Sequence, residues 1–432
     1  MKPETKTAHF IVLLVSASFV IALDGCSSGH VLVEKMDPSA QQLNTQPIPY
    51  SSFWEAMENL DFAAADRLLP SDEQRAFAAA LRSATNGDIS GAEMTLQALH
   101  RRAQDPLAKK HSFNLLQAFL FYESKWADLQ NLEHDSAVGG IEDQELAEAY
   151  GKAPKEVYFF PSEPVEVPIG LSRSGSPIIP VEINGQPKNF WLDTGASVSV
   201  VSSDVAIQCN VEPAGARQVR TQTATSREVS SRPAVISELK IEGIRIHNHP
   251  AIILQEEDLE FKVLGFIRVL KIDGIVGWNA IQNMDIEVDY RNKRASFRRP
   301  VRDRSVQRNF FWIGYPVVTT RSENGRKLRF GMDTGARNSS IRENILRKIP
   351  APKVKTEKRR MGSAGGWETA NVKVLPELTV VLSGYRLLFE NIATSPSDLA
   401  TFVTLDGVLG NDIADRAKLR LDITNGRFTL MK

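Results

Sequence analysis

Cysteine is almost missing from this sequence, with two in 432 residues, Cys26 and Cys209. A chain this long with so few thiols is not a disulfide-stapled scaffold and has to rely on its apolar cores. Net charge is also absent, 52 basic residues standing against 52 acidic ones. That balance removes the electrostatic footprint of a nucleic-acid binder, and no nucleic-acid partner is expected. The one basic cluster, residues 298–308, reads as a solvated linker. All seven histidines lie at or before His249. No His-Glu-x-x-His helix and no phosphate-cradling Gly-Lys-Ser/Thr loop occurs. His247 and His249 are expected in a turn at Asn248 and Pro250, both exposed, and neither a metal nor a cofactor is assigned. Long apolar runs are lacking too, since the uncharged, mostly apolar run from Phe10 to Leu23 is too short to span a bilayer comfortably.

What the sequence does contain, twice, is Asp-Thr-Gly-Ala, at Asp193-Thr194-Gly195-Ala196 and Asp333-Thr334-Gly335-Ala336. Each copy follows an apolar run and leads into another. The likeness extends well beyond four residues. Asn184-Gly185 and Asn324-Gly325 each precede their aspartate by nine positions. Asp273-Gly274-Ile275-Val276-Gly277 is answered by Asp406-Gly407-Val408-Leu409-Gly410, and Asp289 and Asp422 each follow 16 residues after those blocks open. The offset is 140 residues at the first motif and 133 at the later block, which places a short insertion of the first copy within Glu257–Lys271. Self-similarity at this length is a duplicated domain, and it suggests that two aspartates are meant to meet. Two carboxyl groups at hydrogen-bond distance cannot both ionise, so such a pair holds one proton over a wide pH range. Its ionised member can then take a proton from water while its neutral member polarises a carbonyl.

In chain order, residues 1–26 read as a signal peptide. Lys2 and Lys6 precede the apolar run, which ends in Leu23-Asp24-Gly25-Cys26-Ser27-Ser28, a stretch that resembles a bacterial lipoprotein cleavage box with Cys26 as the lipidated residue. Residues 27–50 read as a flexible tether. Residues 51–150 carry apolar positions at helical spacing and read as an α-helical domain. Short motifs there resemble tetratricopeptide second-helix starts, and a plain helical bundle accounts for them equally well. From Val157 the texture turns to strands, giving one β lobe over 157–300 and a second over 309–432. Short helices are expected at Ser203–Gln208 and Arg342–Lys348, with all else in the lobes β.

Both repeats resemble aspartic peptidases of the retropepsin/pepsin group, over about Val157–Lys432. The resemblance implies a mainly β protein of two pseudo-twofold related lobes behind an α-helical domain. It implies Asp193 and Asp333 as catalytic residues, with Thr194, Gly195, Thr334 and Gly335 supporting the active-site loops. Strands bearing Gly277 and Gly410 are expected to cross those loops. Segments around Ala224 and Thr225, and around Ala364 and Gly365, fall where that group places substrate-binding flaps. Arg337 stands where Ser, Thr or Asp is more usual, so the halves are not equivalent. The expected activity is that of a monomeric, lipid-anchored endopeptidase of the bacterial envelope, at the outer membrane facing the periplasm, acting on peptide or protein substrates. The alternative is an inactive scaffold that binds peptides through the lobes and a protein partner through the helical domain.

Overall fold

The computed structural model describes residues 19–20, 31–36, 47–132, 141–172, 174–215, 217–222, 228–263, 267–303, 305–349, 353–363, 366–395 and 402–432. The protein is mainly β, with helices ahead of two β lobes. No helix among the described residues is long and apolar enough to cross a membrane. Cys26 and the rest of the expected cleavage box lie outside the described residues.

The helical part is built on three long helices, Asp72–Thr85, Ile89–Arg102 and Pro106–Tyr122, flanked by shorter ones. Each long helix begins on a side chain that accepts orphan amide protons: Ser71 in a capping box with Gln74, Asp88, and Asp105 ahead of Pro106. The third helix is buried along most of its length, polar Ser112, Asn114 and Gln117 included. The helix thus lies inside the molecule instead of showing one face to water.

Each lobe has its own sheet. In the first, strand Gln186–Leu192 pairs with Pro177–Ile183 through a two-residue turn at Asn184 and Gly185, whose φ angles of 49° and 79° fit the tight hairpin that this pair of residues favours. In the second, Pro316–Ser322 and Lys327–Met332 are joined by a longer loop containing Gly325. The first lobe's extra residues form a separate hairpin, Glu260–Val263 against Ile267–Lys271. A five-stranded sheet joins the lobes, because Asp285–Asp289 of the first pairs antiparallel with Lys418–Asp422 of the second. Arg420 crosses that seam to hold Asp285 with two hydrogen bonds of 3.1 and 2.8 Å. Apolar residues of both lobes, among them Val201, Ile286, Leu421 and Leu409, form one continuous core beneath the seam.

Three expectations need correction. Within the presumed tether, Val31–Lys35 forms a strand on the edge strand Tyr385–Ala393 of the second lobe, with Val33 buried. An open sheet edge offers unpaired backbone groups that a distant segment can satisfy, and local composition does not register this. His247 and His249 are not in a turn but in strand Ile244–Leu254, and His249 is fully buried. The segment around Glu156 and strand Val157–Phe159, paired with Arg245–His247, covers that side of the sheet. The helix expected over Arg342–Lys348 is a 3-10 turn at Glu343–Arg347, and a short α-helix at Trp278–Ile281 interrupts the first lobe, starting where Gly277 leaves its strand. Ser203–Gln208 is helical and capped by Ser202.

Candidate active site

Strand Gln186–Leu192 ends at Asp193, and strand Lys327–Met332 ends at Asp333. Each aspartate's own amide is caught by the strand that crosses behind it: Asp193 N donates to Val276 O at 3.1 Å, and Asp333 N donates to Leu409 O at 3.0 Å. Those crossing strands run parallel to the strands that carry the aspartates, in matching registers. They end in Gly277 and Gly410, where the backbones touch. A Cβ at Gly277 would sit 2.6 Å from the carbonyl carbon of Val198, and one at Gly410 would sit 2.7 Å from that of Asn338. Only glycine permits so close an approach of two main chains.

The two loops are tied to each other by threonines. Thr194 N donates to Thr334 Oγ1 at 3.0 Å, and Thr334 N donates to Thr194 Oγ1 at 3.0 Å. Each hydroxyl then donates to the opposite strand, Thr194 Oγ1 to Met332 O at 2.8 Å and Thr334 Oγ1 to Leu192 O at 2.6 Å. These four bonds are reciprocal across an approximate twofold axis. Ser176 Oγ to Gly335 O, at 3.0 Å, adds a fifth link between the lobes.

This frame places Asp193 and Asp333 side by side within hydrogen-bond reach, 0 % and 2 % exposed. Gly195 N and Gly335 N each donate to their own aspartate's Oδ1 at 2.8 Å, and Ala336 N adds a bond of 2.9 Å to Asp333. Asp193 Oδ2 receives no donor among the described residues. Burial pushes the Asp193 carboxyl well above the usual carboxylate range, the neighbouring charge of Asp333 pushes it further, and the amides of Gly195 and Ala196 oppose both. The pair therefore keeps a proton that isolated carboxyls would release.

Behind each loop lies a serine that sequence reasoning missed. Ser199 Oγ accepts from Gly277 N at 3.0 Å and donates to Asn279 Oδ1 at 3.1 Å. Ser339 Oγ accepts from Gly410 N at 3.0 Å and donates to Asp412 Oδ1 at 2.6 Å. Burial raises the Asp412 carboxyl to about 6, against the pull of the Ser339 hydroxyl and amide. The signal was available, since both serines stand six residues after their aspartate, and Asn279 and Asp412 stand six after Asp273 and Asp406. Asp406 itself is buried against Lys348 at 2.7 Å and Asn344 at 2.7 Å.

Of the expected site residues, Asp193, Thr194, Gly195, Asp333, Thr334 and Gly335 lie together at this junction. Ala224, Thr225, Ala364 and Gly365 lie outside the described residues. The strands on either side of them form antiparallel hairpins, Val219–Gln222 with Glu228–Ile241 and Lys355–Ser363 with Gly366–Leu382. Arg337 is exposed. Among the described residues no group of three or more His, Cys, Asp or Glu is placed to hold a metal ion.

Residues 179–280 match the family model described as aspartyl protease. That span includes Asp193 and the crossing strand to Gly277, while Asp333 enters through the internal repeat. No match was found among curated proteins. Among solved structures, the chain is similar to a retropepsin-like aspartic protease from Rickettsia conorii, at 19% identity and a TM-score of 0.24, over 33% of this chain and 95% of that one.

Proposed function

We propose that this chain is an aspartic endopeptidase that hydrolyses peptide bonds with a water activated by Asp193 and Asp333. The observation that carries this reading is the reciprocal threonine link, which brings two buried carboxyl groups from different lobes to one point, with Asp193 Oδ2 receiving no donor among the described residues. A pair with one proton serves both halves of the reaction. Its ionised member accepts a proton from water, its protonated member donates to the scissile carbonyl oxygen, and no covalent intermediate forms. An extended peptide would lie between the carboxyl pair and the two hairpins, adding strand-like hydrogen bonds on both sides.

Both carboxyl groups are sealed from solvent here. Trp191, Ala196 and Ile275 beside the first loop, and Tyr315 and Leu405 of the second lobe, share one apolar core with the helical domain. Phe402 packs its ring 5.1 Å from Phe77 and 5.0 Å from His111. Thr404 N donates to Glu58 O at 2.8 Å, and Arg329 Nη2 donates to Leu60 O at 3.0 Å. Substrate entry on this reading requires the helices or the hairpins to shift. A chain in which they never shift would be the inactive scaffold.

In this proposal Cys26 is acylated and holds the chain on a bacterial envelope membrane, the outer membrane facing the periplasm being the assigned site. Strand Val31–Lys35 starts five residues later, so the leash to the second lobe is four residues long. The test of the peptidase reading is incubation of residues 27–432 with a peptide library from acid to neutral pH, with Asp333→Asn as control. Cleavage by the parent chain and none by the variant is the expected result. Equal cleavage, or none by either, would overturn it.

A further inference from the structure

The two lobes hold their serine clamps differently. In the second lobe the serine leans on a carboxylate directly, Ser339 on Asp412. In the first lobe the residue at that place is Asn279, an amide. A carboxylate is nevertheless present one step further out. His249 Nε2 meets Ser199 Oγ at 2.8 Å, and His249 Nδ1 meets Glu156 Oε1 at 2.5 Å. His249 is fully buried, and the Glu156 side chain is 12% exposed. Tyr158 donates its hydroxyl to the same Glu156 oxygen at 3.0 Å and is in turn held by Asn283 Nδ2 at 3.0 Å. Serine, histidine and carboxylate stand in line, but Ser199 is itself buried and tied to Gly277 and Asn279, so it has no room to attack a substrate.

We propose that Glu156 and His249 are positioning residues for Asp193, acting through Ser199; this rests on the peptidase reading above. Glu156 fixes the imidazole by accepting from Nδ1–H, and Nε2, 2.8 Å from Ser199 Oγ, holds the serine oxygen in place, the one hydroxyl proton being shared between Nε2 and Asn279 Oδ1. That hydroxyl holds the amide of Gly277, where the crossing strand meets the loop 193–199. Trp278 N to Ala196 O at 2.6 Å and Asn279 N to Ser197 O at 3.2 Å complete the attachment. Glu156 stands five residues beyond the end of helix Ile141–Gly151, so the line joins the exit of the helical domain to the base of one catalytic loop. Replacing one interaction in a buried, fully connected polar chain disturbs the others, and a misplacement of about 1 Å at a catalytic group can cost up to about 100-fold in rate.

The experiment uses Glu156→Gln, Ser199→Ala and Ser199→Thr, singly, together with the double variant Glu156→Gln/Ser199→Ala and Asp193→Asn. kcat and KM are measured on a peptide that the parent chain cleaves. Glu156→Gln keeps the shape of the side chain and removes its charge. It should lower kcat about tenfold with KM unchanged, a loss confined to the transition state. Ser199→Ala should do the same, Ser199→Thr should retain activity because the hydroxyl remains, and the double variant should be no worse than Ser199→Ala. Unchanged kcat in Glu156→Gln, a loss confined to KM, or losses that multiply in the double variant would overturn the assignment. Should Ser199→Ala not fold, Glu156→Gln against Ser199→Thr decides the question. Proton NMR adds a readout independent of turnover: the parent should show a strongly downfield His249 Nδ1 proton that Glu156→Gln removes, and its absence from the parent would overturn the geometry. If Asp193→Asn cleaves like the parent, the peptidase reading has failed and this proposal falls with it. If Asp193→Asn is inactive while Glu156→Gln is unaffected, only the positioning role has failed.

Discussion

Removing one hydroxyl from the link between the lobes is the perturbation whose size the geometry determines best. Thr334→Val is nearly isosteric, so it opens no cavity, but it deletes two hydrogen bonds, the 3.0 Å bond from Thr194 N and the 2.6 Å bond to Leu192 O. Thr334 is fully buried and Thr194 is 2% exposed, so water does not replace the lost partners. Two hydrogen bonds at about 1 kcal/mol each, with a further 1–3 kcal/mol for a stranded buried amide, give a destabilisation of about 3–5 kcal/mol. Thr334→Ser keeps the hydroxyl and loses one methyl, which should cost about 1 kcal/mol. Urea unfolding midpoints of the two variants against the parent provide the stability comparison. The catalytic consequence should be larger than the structural one, because the same bonds set how the two aspartates face each other. A fall in kcat of about 100-fold or more is expected for Thr334→Val, with Thr334→Ser remaining within a few-fold of the parent. Equal behaviour of the valine and serine variants, in stability and in turnover, would refute the reasoning, since it would mean that the hydroxyl contributes no more than the methyl.

Four other expectations follow from neighbouring features. Gly277→Ala places a Cβ 2.6–2.8 Å from the backbone of Val198 and Ser199, atoms that cannot swing aside, whereas a Cβ at Gly215 meets nothing within 4 Å; the first variant should lose most of its folded yield or several kcal/mol of stability and the second almost nothing. Ala336→Ser adds a hydroxyl that can donate to the ionised Asp333 carboxylate; stabilising the charged form lowers the pKa, so both limbs of the kcat/KM profile should move to lower pH, and unmoved limbs would show that burial and mutual repulsion alone set the titration. The upper limb of the parent profile should lie above the usual carboxylate range, because the direction of the Asp193 shift is upward and the shared proton is lost only as pH rises through the raised value. Phe402→Ala removes the ring that packs on Phe77 and His111; if the helical domain restricts entry, kcat/KM on protein substrates should rise, and a fall would instead make the contact part of the working enzyme.

Much of the site was readable from the sequence because it was written twice. The paired Asp-Thr-Gly-Ala stretches and the crossing strands with Gly277 and Gly410 fall on the internal repeat, so one copy explains the other; the serines six residues beyond each aspartate fall on it too but were passed over. The unpaired features were invisible for the same reason. Glu156 and His249 have no counterparts in the second lobe, and they are 93 residues apart, so nothing local indicates that they touch. His249 looked like a surface residue because Asn248 and Pro250 flank it with turn chemistry; burial came from a segment that packs over it, a tertiary effect that outweighs local preference. Strand Val31–Lys35 was missed because what selects it is the open edge at Tyr385–Ala393, more than 300 residues away.

The pair of aspartates is tested most directly by hydrolysis of one cleaved peptide in 18O-labelled water with the parent chain, Asp193→Asn and Asp333→Asn, the new carboxyl group being read by mass spectrometry. Direct attack by a water held between two carboxyl groups should put one labelled oxygen into the new carboxyl group in a single turnover, with no acyl-enzyme trapped by an added amine, and either asparagine variant should abolish the product. A trapped acyl-enzyme, or an asparagine variant that turns over like the parent, would contradict the claim that Asp193 and Asp333 act as one unit.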